Sequence, residues 1–402
     1  MYSDRGTAGE KLIGNFFDKN FSRIFSFPNA KTKSNAQVAD VLVWMNRTVF
    51  LVEVKTRDDG TASINSWAES RICDAVEQLS RNYQRIKAKE QIFLNNAYYH
   101  THLDCKGISQ IIGLIVLVHE ENCDILPSQV VSNIYKQEMP IHIFSNNQLI
   151  NMTDEIDTIP DFIYYLNDRY KYLKISDIPL NRELDVLGYY KSQSNSFPQI
   201  PLDLDSKSYW SDYRTAMTAQ IQARDTHNEH SLLLDKIENV FTEQRKLFDG
   251  LPSGLYYAWE IGSMSRRERA YLGEKLDKVQ DWFEPGKSSR RFAWCNMATG
   301  NWLVFYFSKS KPQEIRKSLT RIVELKLIKE VHWNSFDFAV YGFGFQISVT
   351  YPTRLLGLAT AIAVGASEVK GKYSNKDLED SQRIWGTPST LYSRKIEEFP
   401  SD

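Results

Sequence analysis

Residues Ala39 to Arg57 read ADVLVWMNRTVFLVEVKTR, two apolar runs around a polar break at Met45-Asn46-Arg47-Thr48. Asp40, Glu53 and Lys55 are embedded in sequence that otherwise reads as buried strand, where ionised groups need a partner. The stretch reads as a β-hairpin. Asn46 tolerates the positive φ of a tight turn, although Arg47 is a weaker second residue than glycine. A turn centred between Asn46 and Arg47 sets Trp44 against Val49, Leu42 against Leu51 and Asp40 against Glu53. Facing residues have their Cβ atoms roughly 4.5–5.5 Å apart on one side of the sheet. Strand alternation adds Lys55 to the face of Glu53 and turns Val54 away.

Neighbouring carboxylates repel unless a cation lies between them or one takes up a proton. Mg²⁺ favours such oxygen ligands and retains several waters. A nearby ammonium can orient water and stabilise charge on a phosphate. The pattern therefore predicts a metal-dependent hydrolytic site using Mg²⁺ or Mn²⁺. The acid-x-Lys triplet occurs five times, at Glu53, Asp104, Asp205, Glu324 and Glu368. Only the first ends a β-run with an acid across the ladder, so context makes the signal.

Working outward, residues 6–20 (GTAGEKLIGNFFDKN) read as a helix and 21–27 (FSRIFSF) as a short strand. After the hairpin, helical period runs from about Trp67 to Lys89. IIGLIVLVHE is a continuous apolar strand, IHIF another, and IPDFIYYLNDRYKYL a helix. The order is α-β-β-β-α-β, then β and α, a mixed α/β arrangement with helices packed on the sheet. This order and the Asp40/Glu53-Val54-Lys55 pattern resemble the PD-(D/E)XK nuclease superfamily over the first 120–170 residues. Ala39-Asp40 stands where the family name carries Pro-Asp. The resemblance implies a restriction-endonuclease-like fold, Asp40, Glu53 and the Val54 carbonyl as metal ligands, and Lys55 as the catalytic lysine. It also implies nucleic acid as the substrate, DNA ahead of RNA, in a restriction or anti-phage setting.

Two further residues join the site by the same resemblance. Members often carry an acid on the first helix, and Glu10 shares a face with Ile13 and Phe17. Thr7-Ala8-Gly9-Glu10 also fits a capping box, so both readings of Glu10 stand. The helix after the hairpin carries a polar stripe, Arg71, Gln78, Asn82 and Arg85, beside its apolar face. Gln78 matches the glutamine that related nucleases use there; a solvated boundary is the alternative.

The chain has 402 residues, 42% hydrophobic and 25% charged, with a net charge of −1, so any polyanion-binding surface must be local. Four scattered cysteines without a CxxC pair suit free thiols in a reducing, cytoplasmic setting. No apolar run has signal-peptide or membrane-spanning length. Residues 1–174 are expected to form the nuclease-like domain, 175–207 a linker or crossover in which RELDVLGYY (Arg182 to Tyr190) reads as one short helix, and 208–402 a second α+β domain. That second domain is expected to serve recognition, a protein partner or a homo-oligomer contact. Within it, Leu355 to Ala366 (LLGLATAIAVGA) reads as a buried helix.

The basic clusters SRRER (Ser265 to Arg269) and KSSRR (Lys287 to Arg291), near Trp282, Phe292 and Trp294, read as solvated helix faces because acids interleave them. The histidines and cysteines between His100 and Cys123 lack the paired spacing of a zinc site, and Gly365 to Tyr373 lacks a true phosphate-loop pattern. A non-catalytic module on the same fold, or a nuclease held idle by a sensory C-terminal domain, are the alternatives to an active enzyme.

Overall fold

A computed structural model describes residues 2–21, 23–57, 63–132, 134, 138–175, 177–197, 202–204, 207–243, 253–278, 289–333, 338–347, 355–369 and 372–385. The chain divides into two units, residues 1–224 and 225–400, each mixing sheet and helix.

Unit 1 runs α1 (Tyr2–Asn20), β1 (Ser26–Pro28), β2 (Lys31–Thr32), β3 (Val41–Met45), β4 (Thr48–Thr56), α2 (Ile64–Lys87), β5 (Ile92–Asn95), β6 (His100–His102) and β7 (Gln110–Val118). It continues with α3 (Pro127–Val130), β8 (Ile141–Ser145), α4 (Asn146–Met152), α5 (Ile159–Leu173), α6 (Glu183–Ser192), α7 (Tyr209–Ala216) and α8 (Thr218–Asn228). The main sheet has the order β1-β3-β4-β7-β8. The first three strands form an antiparallel meander, and β7 and β8 add in parallel. A crossover of the β4–α2–β7 kind is what joins parallel neighbours. The small sheet β2-β5-β6 is an addition for which no strand was expected.

The β3–β4 register is the expected one: Trp44 faces Val49, Leu42 faces Leu51 and Met45 faces Thr48 across the two-residue turn. Asn46 takes a φ of 53°. One face of β4 packs Val49 and Leu51 against Ala68, Ile72, Ala75 and Leu79 of α2. The other packs Phe50 with Phe162 of α5, which stacks on Phe21 beyond α1. Glu53 and Lys55 therefore lie on the α2 face.

Within the expected linker or crossover at 175–207, the short helix expected over Arg182 to Tyr190 forms as α6, and the division falls between Arg224 and Asp225. Two buried carboxylates, Glu183 within this segment and Glu155 before it, act as hubs. Glu183 at the start of α6 takes a bidentate pair from Arg169 of α5 (2.7 Å to Oε2 from Nη2) and a hydrogen bond from Tyr165. Arg169 also contacts His142, whose imidazole is held neutral by burial and by that guanidinium. Glu155, after α4, accepts from Tyr213 (2.8 Å), Arg214 (2.9 Å) and Arg224, which ties α7 and α8 to this unit. Gly188 completes the join, since a Cβ there would lie 2.7 Å from the Trp210 Cα.

Unit 2 runs α9 (Leu232–Glu243), α10 (Ser253–Gly262), α11 (Arg266–Asp277), β9 (Ser289–Cys295), β10 (Trp302–Ser308), α12 (Pro312–Trp333), β11 (Ala339–Ile347), β12 (Leu355–Gly365), α13 (Ala366–Val369) and α14 (Asn375–Trp385). Its sheet has the order β12-β11-β10-β9, with β10 and β11 parallel and the outer pairs antiparallel. Residues 355–365 are a strand, correcting the expected helix. A continuous apolar run has no period with which to tell the two apart, and β11 supplies the neighbour that the strand pairs with. One sheet face stacks Phe292, Phe305 and Phe343 (4.9 and 5.1 Å between rings). The other packs Val304, Tyr306 and Val340 on Ile315, Leu319 and Val323 of α12.

SRRER is not a solvated face. Arg266 and Arg269 both pair with Asp235 (2.6 and 2.7 Å), and Arg269 also with Glu238 (2.8 Å). Lys287, Ser288 and Trp282 lie outside the described residues. All four cysteines are free thiols, and among the described residues no helix is long and apolar enough to cross a membrane.

The Arg169–Glu183 pair is expected to act as a buried lock. Glu183→Ala leaves a buried guanidinium without its carboxylate and should cost about 3–5 kcal/mol in urea unfolding, while Arg169→Met/Glu183→Leu should recover most of that loss. A loss below about 1 kcal/mol in the single variant, the range of an exposed pair, would contradict the assignment.

Candidate active site

The site is built at the open end of the hairpin, where β3 stops and β4 continues. Asp40 stands just before β3, and its amide donates to the Val52 carbonyl at 3.1 Å. Its carboxylate accepts from the Val54 amide at 2.7 Å through Oδ2 and from Gln37 Nε2 at 2.9 Å through Oδ1. Asp40 is thus fastened to the residues on both sides of Glu53. A residue's N–H and C=O leave a strand on the same edge. The Val54 carbonyl is therefore directed to the edge where its amide meets Asp40.

Glu53 is 4% exposed. Lys55 lies 3.4 Å from its Oε2 and donates to Gln78 Oε1 on α2 at 2.5 Å. Asp40, Glu53, Val54, Lys55, Glu10 and Gln78 all line one cavity of about 420 Å³. Gln37, Arg81, Asn82 and Arg85 complete much of the wall. Arg85 donates to the Gln37 carbonyl (3.1 Å) and to Asn82 (3.0 Å), steadying the residue that holds Asp40.

Glu10 reaches this cavity because α1 approaches β4 closely. A Cβ on Gly9 would fall 2.0 Å from Thr56 Oγ1, so a larger residue there would have to displace that side chain. The capping-box reading of Glu10 is overturned, since α1 begins at Tyr2 and Thr7 lies inside it. Of the polar stripe on α2, Gln78, Asn82 and Arg85 line the cavity. Arg71 does not; it pairs with Asp74 on the exposed flank and borders a neighbouring depression beside Lys55. Gln37 and Arg81 were not expected. Arg81 stands three residues beyond Gln78 and four before Arg85, so helical spacing alone places it on the same side.

The electrostatics are those of carboxyls buried close together. Burial raises all three carboxyls above their ordinary values. For Glu53 the next cause is the charge on Asp40, and the result is about 7 despite the opposing Lys55. The Val54 amide, Lys55 and Gln37 partly offset the burial of Asp40. For Glu10, the Asp40 charge again adds to burial.

Among the described residues no group of three or more His, Cys, Asp or Glu side chains is placed to hold one ion. Glu10 lines the same cavity as Asp40 and Glu53. Carboxylates, a backbone carbonyl and water form an oxygen donor set that suits a hard divalent cation. The chain matches no known protein family, no curated protein and no solved structure in sequence or structure comparisons.

The raised Glu53 carboxyl has a definite pH signature. In the unfolded chain it ionises near its ordinary 4.5; in the folded protein it holds its proton up to about 7. Folding takes up a proton across that window, so stability falls as pH rises through it. Glu53→Gln should melt higher than the parent at pH 8 in EDTA, by about 1–3 kcal/mol more than at pH 4.5. A difference that stays flat from pH 4.5 to 8 would show that Glu53 is not strained by its surroundings.

Proposed function

We propose that unit 1 is a divalent-metal-dependent nuclease that hydrolyses phosphodiester bonds, with DNA ahead of RNA as substrate. The observation that carries this reading is the convergence of Asp40, Glu53, Lys55 and Gln78 on one cavity at the end of one hairpin. The raised carboxyls add support, because a bound cation offsets the burial that lifts them and, for Glu53 and Glu10, the charge of Asp40. Asp40, Glu53 and the Val54 carbonyl would hold Mg²⁺ or Mn²⁺. When bound, the ion supplies Lewis-acid stabilisation of phosphoryl charge and lowers the pKa of attacking water.

The chain's own residues supply the rest. Gln37 and the Val54 amide fix the orientation of Asp40. Glu53 and Gln78 hold the Lys55 ammonium in the cavity, where it stabilises negative charge developing on the phosphate. Arg81 and Arg85 offer charge-assisted hydrogen bonds to the substrate backbone. Phosphate contacts of this kind position a nucleic acid without reading its sequence. Glu10, on α1, stands in the same cavity as a further carboxylate toward the ion.

Purified full-length protein should cut plasmid, or single-stranded DNA, in Mg²⁺ or Mn²⁺ and not in EDTA. Lys55→Met, Asp40→Asn and Glu53→Gln should each lower the rate by about 10²–10³-fold, as removal of a preorganised charge stabiliser does. Gln78→Ala should have a smaller effect in the same direction. Cleavage that survives all three substitutions, or metal-independent binding without cutting on DNA and RNA alike, would refute the enzyme.

A further inference from the structure

The small sheet β2-β5-β6 of unit 1 has one dry face and one wet face. Ile92 and Leu94 of β5 join the core that α2 covers, and Thr32 of β2 and Leu103 after β6 are buried with them. Strand alternation turns Phe93 the other way. There it is 39% exposed, although both its neighbours in the chain are buried.

Register places an exposed partner on either side of it. Lys31 faces Phe93 from β2 and His102 faces it from β6, so the three side chains stand in one row on the open face. The His102 ring meets the Phe93 ring edge to face, 4.6 Å between centroids. One step along the strands, Asn95 and His100 form the next exposed pair on that face. The nearest acids in sequence, Glu90 and Asp104, stand outside the strands, and Asp104 turns back to accept from the Lys106 amide at 3.1 Å.

The row is held rigidly. At the β5–β6 turn, Asn96 donates to the Ser26 carbonyl (3.2 Å) and accepts from the amides of Tyr98 (2.8 Å) and Tyr99 (3.0 Å). The Tyr99 hydroxyl donates to the Ile24 carbonyl at 2.8 Å, and its ring packs on Phe27. The turn is thereby fastened to β1 and the residues before it.

The row also begins at the wall of the hairpin-end cavity. Lys31 is bridged to Gln37, which holds Asp40 and lines that cavity. Gln37, β2 and β5 are successive neighbours, so Phe93 lies about 10 Å from the Gln37 backbone at ordinary strand spacing. A stacked strand rises about 3.4 Å per nucleotide. A strand with one phosphate at the cavity therefore reaches Phe93 within a few nucleotides.

A lone exposed aromatic needs no explanation. This one is the centre of a fixed row, with a lysine on one side and an imidazole on the other, leading away from a site already read as hydrolytic. Aromatic rings so placed stack on bases whatever the sequence, while cations beside them follow the backbone. A duplex shows only base edges in its grooves, so only an unpaired strand can lay a base on Phe93.

We propose that the open face of β2-β5-β6 is a platform for single-stranded nucleic acid that leads the strand into the hairpin-end site. The proposal rests on the reading of unit 1 as a nuclease and narrows its substrate to a single strand or a duplex with an unpaired end.

Fluorescence anisotropy of the full chain in EDTA tests the platform without reading cleavage. The probes are a labelled single-stranded oligonucleotide and a blunt duplex of the same sequence. The single strand should bind more tightly, by about tenfold or more. Phe93→Ala should weaken single-strand binding by about tenfold and leave the duplex unchanged, whereas Phe93→Trp should retain it. Lys31→Gln should lower the slope of log affinity against log salt by about 0.7, one phosphate's share, and Phe93→Ala should leave that slope alone. These changes in a protein that cuts nothing in Mg²⁺ or Mn²⁺ would support the platform and refute the enzyme alone. Single-strand affinity unchanged in Phe93→Ala with melting temperature preserved, an equal loss on the blunt duplex, or no saturable binding of the single strand by the parent would overturn the platform.

Discussion

Two carboxylates buried at the open end of one hairpin cannot both ionise at low cost unless positive charge stands between them. That constraint organises unit 1. The Val54 amide and Gln37 spend their donors on Asp40, Lys55 turns toward Glu53, and Glu53 still holds its proton to about pH 7. On the proposed reading, a cation bound among these groups would offset the cost of burying their charge.

Much of this was legible in the sequence because the β-period is rigid. A two-residue turn at Asn46-Arg47 sets the register, and a register fixed at the turn holds to the far end of the hairpin. Trp44–Val49 and Leu42–Leu51 then place Asp40 beside the residues flanking Glu53. Gln78 was found for a similar reason, since helical phase beside the apolar face of α2 is periodic. Arg81 has that phase too and was readable in principle. Gln37 was not, because it sits in irregular backbone before β3, where no period relates it to Asp40. The role of Glu10 was obscured by a cap signal that the real start of α1 at Tyr2 makes irrelevant.

The errors elsewhere share one cause: the deciding partner was far away in sequence. Polar, proline-bearing residues around 175–207 looked like a linker until Glu183 met Arg169 and Phe197 stacked on Tyr172 at 4.8 Å. The run from Leu355 became a strand because β11 needed a neighbour. The basic cluster at Ser265 to Arg269 is consumed by Asp235 and Glu238, whereas Arg290 and Arg291 converge with two lysines of α12. Composition, which averages to a net charge of −1, reports none of these local arrangements.

The claim at the centre is that the hairpin end is a cation site. Crystals soaked in MnCl₂ and measured at the manganese absorption edge test it directly. An anomalous peak in contact with carboxylate oxygens of both Asp40 and Glu53 and with the Val54 carbonyl is the predicted result. No peak there, or one that leaves either carboxylate outside coordination distance, would contradict it.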